Sequence, residues 1–166
     1  MILQLPLEPY QVGGYAFGER LRRRFGVPAV HLGEDVVAEP GTRVNAIGAG
    51  RVVLAKMLLG SEEKRNWGGV VIIQHQTFYS IYGHLKVLQV KSGEAVTGGQ
   101  SLGEVAGSST PENGWWKIAH LHFAIYTGPW QGQVLPGWWR PERFWRTRLS
   151  WWHAPRAFIE EYTQTL

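Results

Sequence analysis

The chain of 166 residues contains no cysteine. That excludes disulfides, thiolate metal sites and cysteine nucleophiles, so any metal here must be held by His, Asp or Glu. Methionine is scarce as well, at 2 residues. No apolar run approaches the roughly 20 residues that a membrane-spanning helix needs. The opening stretch, Met1 to Leu7, lacks the basic and long apolar regions of a signal peptide, leaving three routes open: a leader already removed, export by other means, or retention inside. Acidic residues are the minority charge: 13 against 17 Lys and Arg give a net charge of +4 and a pI near 9.6. This modest excess favours a polyanionic partner, although a basic surface with no specific partner is also ordinary. At 44% hydrophobic and 18% charged, the composition is that of a globular domain long enough to bury its own core.

What the chain does have is a strand-like stretch, Ala119 to Tyr126, that carries His120 and His122. Residues two apart on a strand point to the same face, so the two imidazoles share one face while Leu121 and Phe123 turn to the other. Two neighbouring imidazoles can ligate a metal, or one can ligate while the other handles a proton. Upstream, His31 and Asp35 flank Gly33, whose backbone freedom can let both reach one point.

Between residues 39 and 126 the pattern is one of short strands separated by glycine turns. Thr42 to Ile47 and Arg51 to Ala55 suggest a hairpin around Gly48-Ala49-Gly50. Val70 to His75 is almost continuously apolar, as expected of a central strand covered on both faces. Phe78 to His84 alternates. The architecture implied is mainly β, with an antiparallel sheet in a sandwich or half-barrel. Glu19 to Phe25 suggests a short basic helix. After residue 129 the composition changes: six of the nine tryptophans fall between Trp130 and Trp152, among several arginines. We divide the chain into a domain at 1–129 and a short helical, Trp-rich and Arg-rich extension at 130–166 packed on it. Two helices are expected there, one burying Phe144, Trp145, Leu149 and Trp152, the other Phe158, Ile159 and Tyr162.

Taken together, these motifs resemble the lysostaphin-type zinc metallopeptidases, endopeptidases of bacterial peptidoglycan with a duplicated hybrid motif fold. The resemblance runs from about Gly14 to Tyr126. It rests on His-x-Gly-x-Asp at His31 to Asp35, Gly-Thr-x-Val-x-Ala from Gly41 and Gly-x-Val-Val from Gly50. Tyr-x-His-Leu at Tyr82 to Leu85, the glycine-punctuated Val96 to Gly103 and His-Leu-His-Phe from His120 complete it. Any one motif is weak, but their order and spacing together are specific.

The resemblance implies one Zn2+ per chain with His31, Asp35 and His122 as ligands, and His84 and His120 as catalytic histidines on the water. It implies peptidoglycan peptides as substrate, hence an extracellular or periplasmic location; the Arg and Trp tail fits a nucleic-acid binder only loosely and no recognised motif appears, so no nucleic acid partner is expected. Members usually carry Glu where this chain has Ala124, which suggests a changed rim rather than lost zinc. They also use a nearby Tyr, for which these motifs offer no match. Two polar loops flank the expected site, and their Trp67, Trp115 and Trp116 are candidate walls of a substrate groove. His75 and His153 are expected to be structural.

The main alternative is a catalytically inactive relative acting as a scaffold or activator of another hydrolase, although no ligand is missing here. A lipoyl-carrier-like domain would need its lysine on a hairpin tip, and Lys56 does not lie in such a turn.

Overall fold

In the computed structural model, residues 1–165 are described. The strands are β1 (Arg20–Leu21), β2 (Ala29–His31), β3 (Glu34–Val37), β4 (Arg43–Asn45), β5 (Gly50–Leu58) and β6 (Gly68–Gln74). They continue with β7 (Tyr79–Leu88), β8 (Ala95–Val96), β9 (Ser101–Val105), β10 (His120–Tyr126), β11 (Trp138–Trp139) and β12 (Trp152–His153), and the chain closes on the helix α1 (Pro155–Gln164). Nine strands form one sheet with the path β12-β10-β7-β6-β5-β8; β3 also pairs with β10, and β4 with β9, which in turn joins β7. A second sheet has the order β1-β2-β11. All strand pairs are antiparallel. The mainly β antiparallel expectation is thereby met.

Alternation on the central strands divides the interior in two. Val71 and Ile73 of β6, Tyr82 of β7 and Leu121, Phe123 and Ile125 of β10 enter one apolar cluster with Leu3, Leu7 and Tyr10. Val70 and Ile72, Ile81, Ala124 and Tyr126 face a second cluster closed by Leu135 and Trp152, with Trp130, Trp139 and Trp151 packed against it. Covering both faces explains why β6 is buried from Gly68 to Ile73 and so reads as an unbroken apolar run. On β10 the same alternation places His120 and His122 beyond Ala124 and Tyr126 on one face, away from the first core.

Three local expectations are corrected. Residues 42–55 do not form a hairpin: β4 pairs with β9, matching Val44 with Gly103, while β5 pairs with β6 and β8. The linking segment is drawn inward, because Ile47 is fully buried and its carbonyl accepts from Gln4 N–H. Residues 19–25 form no helix, because Arg20 and Leu21 pair with Val30 and Ala29. The first tail helix is absent too. Short 3-10 turns occupy Pro141–Arg143 and Leu149–Trp151, leaving Phe144 and Trp145 exposed and Leu149 partly so. Only Trp152 of that set is buried, and its Nε1–H donates to Thr147 Oγ1 at 2.7 Å. Pairing of β11 with β2 and of β12 with β10 pins both ends of this segment to separate sheets, and that tertiary demand overrides the helical periodicity. The second helix does form as α1, with Ile159 buried and Phe158 and Tyr162 packed on the first cluster beside Phe78.

Candidate active site

Register alone assembles the donor cluster. β3 and β7 flank β10, setting Asp35 opposite His122 on one side and Gly83, the neighbour of His84, opposite His122 on the other. His31 ends β2, and the turn through Gly33 carries the chain into β3. That glycine is required sterically: a Cβ there would lie 2.5 Å from the Phe123 carbonyl oxygen and 2.8 Å from His122 Nε2. Gly83 is required likewise, since the Trp67 ring would sit 2.5 Å from its Cβ.

His31, Asp35, His84, His120 and His122 are all buried. One ligand atom from each of His31, Asp35 and His122 lies within 4.8 Å of the other two. Asp35 Oδ1 is 3.3 Å from His31 Nε2, 3.2 Å from His122 Nδ1 and 3.8 Å from His120 Nε2. The remote nitrogens of two rings are tied to the backbone: His31 Nδ1–H donates to the Ala16 carbonyl at 3.2 Å, and His120 Nδ1–H donates to that of Ile118 at 2.6 Å. Each bond leaves Nε2 with its lone pair facing the cluster. The His84 ring lies 4.5 Å from that of His120. His84 has φ 67°, an unusual conformation for a residue with a side chain, held by its N–H donating to Trp67 O and its carbonyl accepting from Ala106 N–H.

The electrostatics favour neutral His84 and His122 rings beside an ionised carboxylate. Burial alone would push the Asp35 carboxyl up, but hydrogen bonds to His122 and His31, helped by electrostatic attraction toward the neighbouring rings, hold it well below the usual range. Burial lowers His122 to about 4, against the opposing pull of Asp35. Burial, then the proximity of His120 and His122, drives His84 far below an ordinary histidine. His122 Nε2 and His84 Nδ1 are buried without a hydrogen-bond partner. A void of about 20 Å³ bordered by Tyr15, His31, Asp35, His84, His120 and His122 has room for about one water-sized species. Two imidazoles and a carboxylate at one buried point are a fitting donor set for zinc, with His84 and His120 left to address whatever occupies an open position.

A cleft of about 580 Å³ leads to this cluster and is lined by His84 and His122 together with Trp67, Trp116, Trp138 and Trp139. The Trp67 ring stands 5.0 Å from His122 and stacks on His84 at 6.0 Å; Trp116 is edge-on to His84 at 6.4 Å. Trp115 is not among the lining residues. Gly114 and Trp115 take successive positive φ values of 63° and 64°, and after this reversal it is Trp116 that meets His84. The two polar loops bind each other, Gly60 N–H donating to Pro111 O and Asn66 N–H to Gly114 O. His75 is buried and borders neither the cleft nor the void, and His153 lies on β12 with Nε2 2.9 Å from Thr127 Oγ1.

Sequence reasoning missed Tyr15 and Trp138. Tyr15 exchanges backbone contacts with Asp35, its carbonyl accepting from Asp35 N–H and its own N–H donating to Oδ2. Its ring packs on His31 at 5.6 Å and Trp138 at 4.9 Å. Trp138 covers His31 at 4.6 Å because β11 pairs it with that residue. Neither carried a local signal: both arrive by long-range pairing.

Residues 29–134 match the sequence model of Peptidase family M23. Among curated proteins, the chain is 34% identical over 118 residues to the lipoprotein NlpD/LppB homolog of Pseudomonas aeruginosa, covering 69% of this chain and 36% of that protein. An outer membrane antigenic lipoprotein B of Histophilus somni is 34% identical over 94 residues, 56% of this chain and 25% of that one. The chain thus spans about a third or less of these relatives. Among solved structures, lysostaphin from Staphylococcus simulans superposes with a TM-score of 0.65 at 23% identity, covering 98% of this chain and 56% of that one. A zinc containing peptidase from Vibrio cholerae gives 0.60 at 24% identity, covering 75% and 36%.

Proposed function

The chain belongs to Peptidase family M23, and on that premise we propose that it is a zinc-dependent endopeptidase that hydrolyses peptide bonds in bacterial peptidoglycan cross-links. The observation that carries this reading is the convergence of His31, Asp35 and His122 within 4.8 Å at the base of a cleft, with His84 and His120 beside them. We assign His31, Asp35 and His122 as the ligands of one Zn2+. A bound zinc supplies a Lewis acid that polarises the scissile carbonyl and lowers the pKa of water.

The protein's own groups do the rest. His120, with Nδ1–H held by Ile118, offers Nε2 to accept a proton from the attacking water. His84, kept neutral by burial and its neighbours, can take or return a proton next to it. Tyr15 borders the same void and is assigned the role of a hydrogen-bond donor to the developing oxyanion. Trp67 and Trp116 wall the substrate groove. Residues 1–129 are assigned as the peptidase domain and 130–166 as an extension packed on it. The substrate class places the chain outside the cytoplasm, in keeping with relatives described as lipoproteins; no helix among the described residues is long and apolar enough to cross a membrane.

The test is digestion of purified peptidoglycans of different cross-link chemistry by the zinc-loaded protein, with products identified by mass. New amino and carboxyl termini at one cross-link type, abolished by chelation and restored by zinc, are expected. Intact wall with the metal bound would instead favour the inactive scaffold or activator.

A further inference from the structure

Five cationic side chains line the cleft: Lys64 and Arg65 from the loop between β5 and β6, and Arg140, Arg143 and Arg146 from the segment after β11. No Asp or Glu lines it. Among the described residues, none of the five lies within ion-pair distance of a carboxylate. Arg65 donates to the carbonyls of Ser61 and Glu62, and Arg146 to that of Val134, contacts that orient a guanidinium without neutralising it. Of the acids adjacent in sequence, Glu62 and Glu63 are exposed and do not line the cleft, and Glu142 is gripped by Arg23 through two bonds of 2.6 and 2.8 Å, so its charge is engaged with the 22–27 loop. Five like charges around one concavity, none bonded directly to a carboxylate, repel one another and concentrate anions within it. Their positions on two separate segments, with His84 and His122 between the same walls, set charge along the approach to the donor cluster rather than at a remote patch.

We propose that this cleft selects anionic peptides, those with free carboxylates flanking the bond presented to the histidine cluster, and that Arg140, Arg143 and Arg146 are specificity-determining residues. The inference rests on the peptidase reading above and names the substrate chemistry of that site. Guanidinium groups take carboxylates in paired, planar hydrogen bonds, a geometry that a carboxamide does not satisfy. Trp67, Trp116, Trp138 and Trp139 supply apolar walls for the rest of such a peptide. Three of the five charges come from beyond residue 134, where the family match ends, so selection is added by the segment that follows the shared core.

The experiment uses the zinc-loaded full chain and two synthetic peptides of one sequence, with side-chain and α-carboxylates free in one and amidated in the other. Binding is followed by calorimetry and turnover by chromatography, at low and at raised salt. Amidation is expected to weaken binding roughly 10-fold, the effect of two or three exposed ion pairs acting together, and to act on KM more than on kcat. Raised salt shrinks the difference. In R140Q/R143Q, whose altered side chains are exposed, the preference falls to within about 2-fold. Equal binding of both peptides by the wild-type protein overturns the inference even if both are cut, as does failure to bind either. Tighter binding of a short oligonucleotide than of the acidic peptide also overturns it. Selective binding without cleavage upholds the charge selection and defeats the peptidase reading instead.

Discussion

Two buried histidines, one just past the end of β6 and one on β10 with β7 between these strands, live in opposite chemical circumstances. His75, just after β6, is 5% exposed, and both ring nitrogens have partners: Nδ1 and the Ala49 carbonyl are 2.7 Å apart, Nε2 and Ser80 Oγ 2.8 Å. The chain continues from Ser80 Oγ to the Tyr82 hydroxyl at 2.9 Å, which accepts from Ile47 N–H at 3.0 Å. His122 is 4% exposed, yet its Nε2 has no partner, and its Nδ1 shares a single carboxylate oxygen with two other imidazoles. The first network is closed; the second has more donors and lone pairs than the protein itself satisfies. Burial is therefore no guide to role here. Hydrogen-bond completion separates a histidine that holds a core together from one set to receive a ligand.

The strongest way to break this contrast is to remove His122. H122A is expected to lose bound zinc and to lower peptide turnover on the order of 10³-fold or more. Elemental analysis after dialysis, beside a turnover assay, measures both; full metal retention would remove His122 from the ligand set.

The next effect divides the open cluster. H84Q and H120Q are expected to keep most of the zinc yet lose about 10²- to 10⁴-fold in turnover, because they are assigned to the water rather than the metal. Near wild-type turnover in either one would cancel its catalytic assignment.

For the closed network the order reverses. H75A should leave zinc content and turnover unchanged while costing about 1–3 kcal/mol of stability, since Ser80 and the Ala49 carbonyl are left short of a partner in the interior. A urea titration reads this directly, and an unchanged midpoint would mean that the network contributes nothing to the fold.

The smallest effect is a slope. Burial lowers the His75 pKa, outweighing the hydrogen bond to Ala49 that favours the charged ring. The unfolded chain therefore binds this proton more readily than the folded one. The associated stability is fully present above the unfolded value of about 6.5 and is lost as pH falls toward the lower folded value. Urea midpoints of wild type and H75A, compared from pH of about 7.5 to about 5, should converge on acidification. Parallel curves would place the titration elsewhere.

How much of this was legible in the sequence depended on how local the information was. The shared face of His120 and His122 follows from strand period alone, and α1 from the spacing of Phe158, Ile159 and Tyr162. The resemblance supplied the grouping of His31, Asp35, His84, His120 and His122, and the strand register brings these together. Trp138 and the arginines behind it could not be read in this way, because β2-β11 pairing across more than 100 residues delivers them, and Tyr15 reaches the site only through its bonds to Asp35, 20 residues further on. The same distant pairing defeats the expected helix at 144–152, whose apolar spacing is real but whose ends belong to two sheets. Ala124 stands at the junction of both kinds of information. It is fully buried, with its Cβ 3.1 Å from where a side chain on Gly33 would begin, and it lies in the cluster that the tail tryptophans close. A glutamate there would bury its charge under that cover.

The pairing of β11 with β2 also has a consequence for the order in which the molecule is made. Translation releases the residues assigned to bind and use zinc by His122, whereas Trp138, which caps His31, and the arginines of the cleft emerge afterwards. At about 5–20 residues per second, the donors precede their cover by roughly a second or more of synthesis. During that interval the nascent chain carries the chemical groups but not the walls that would seat a peptide against them. A ribosome that stalls short of residue 138 leaves a product with an unlidded cluster, so the competence of the cleft reports that the chain has been read past β11 and the arginines behind it.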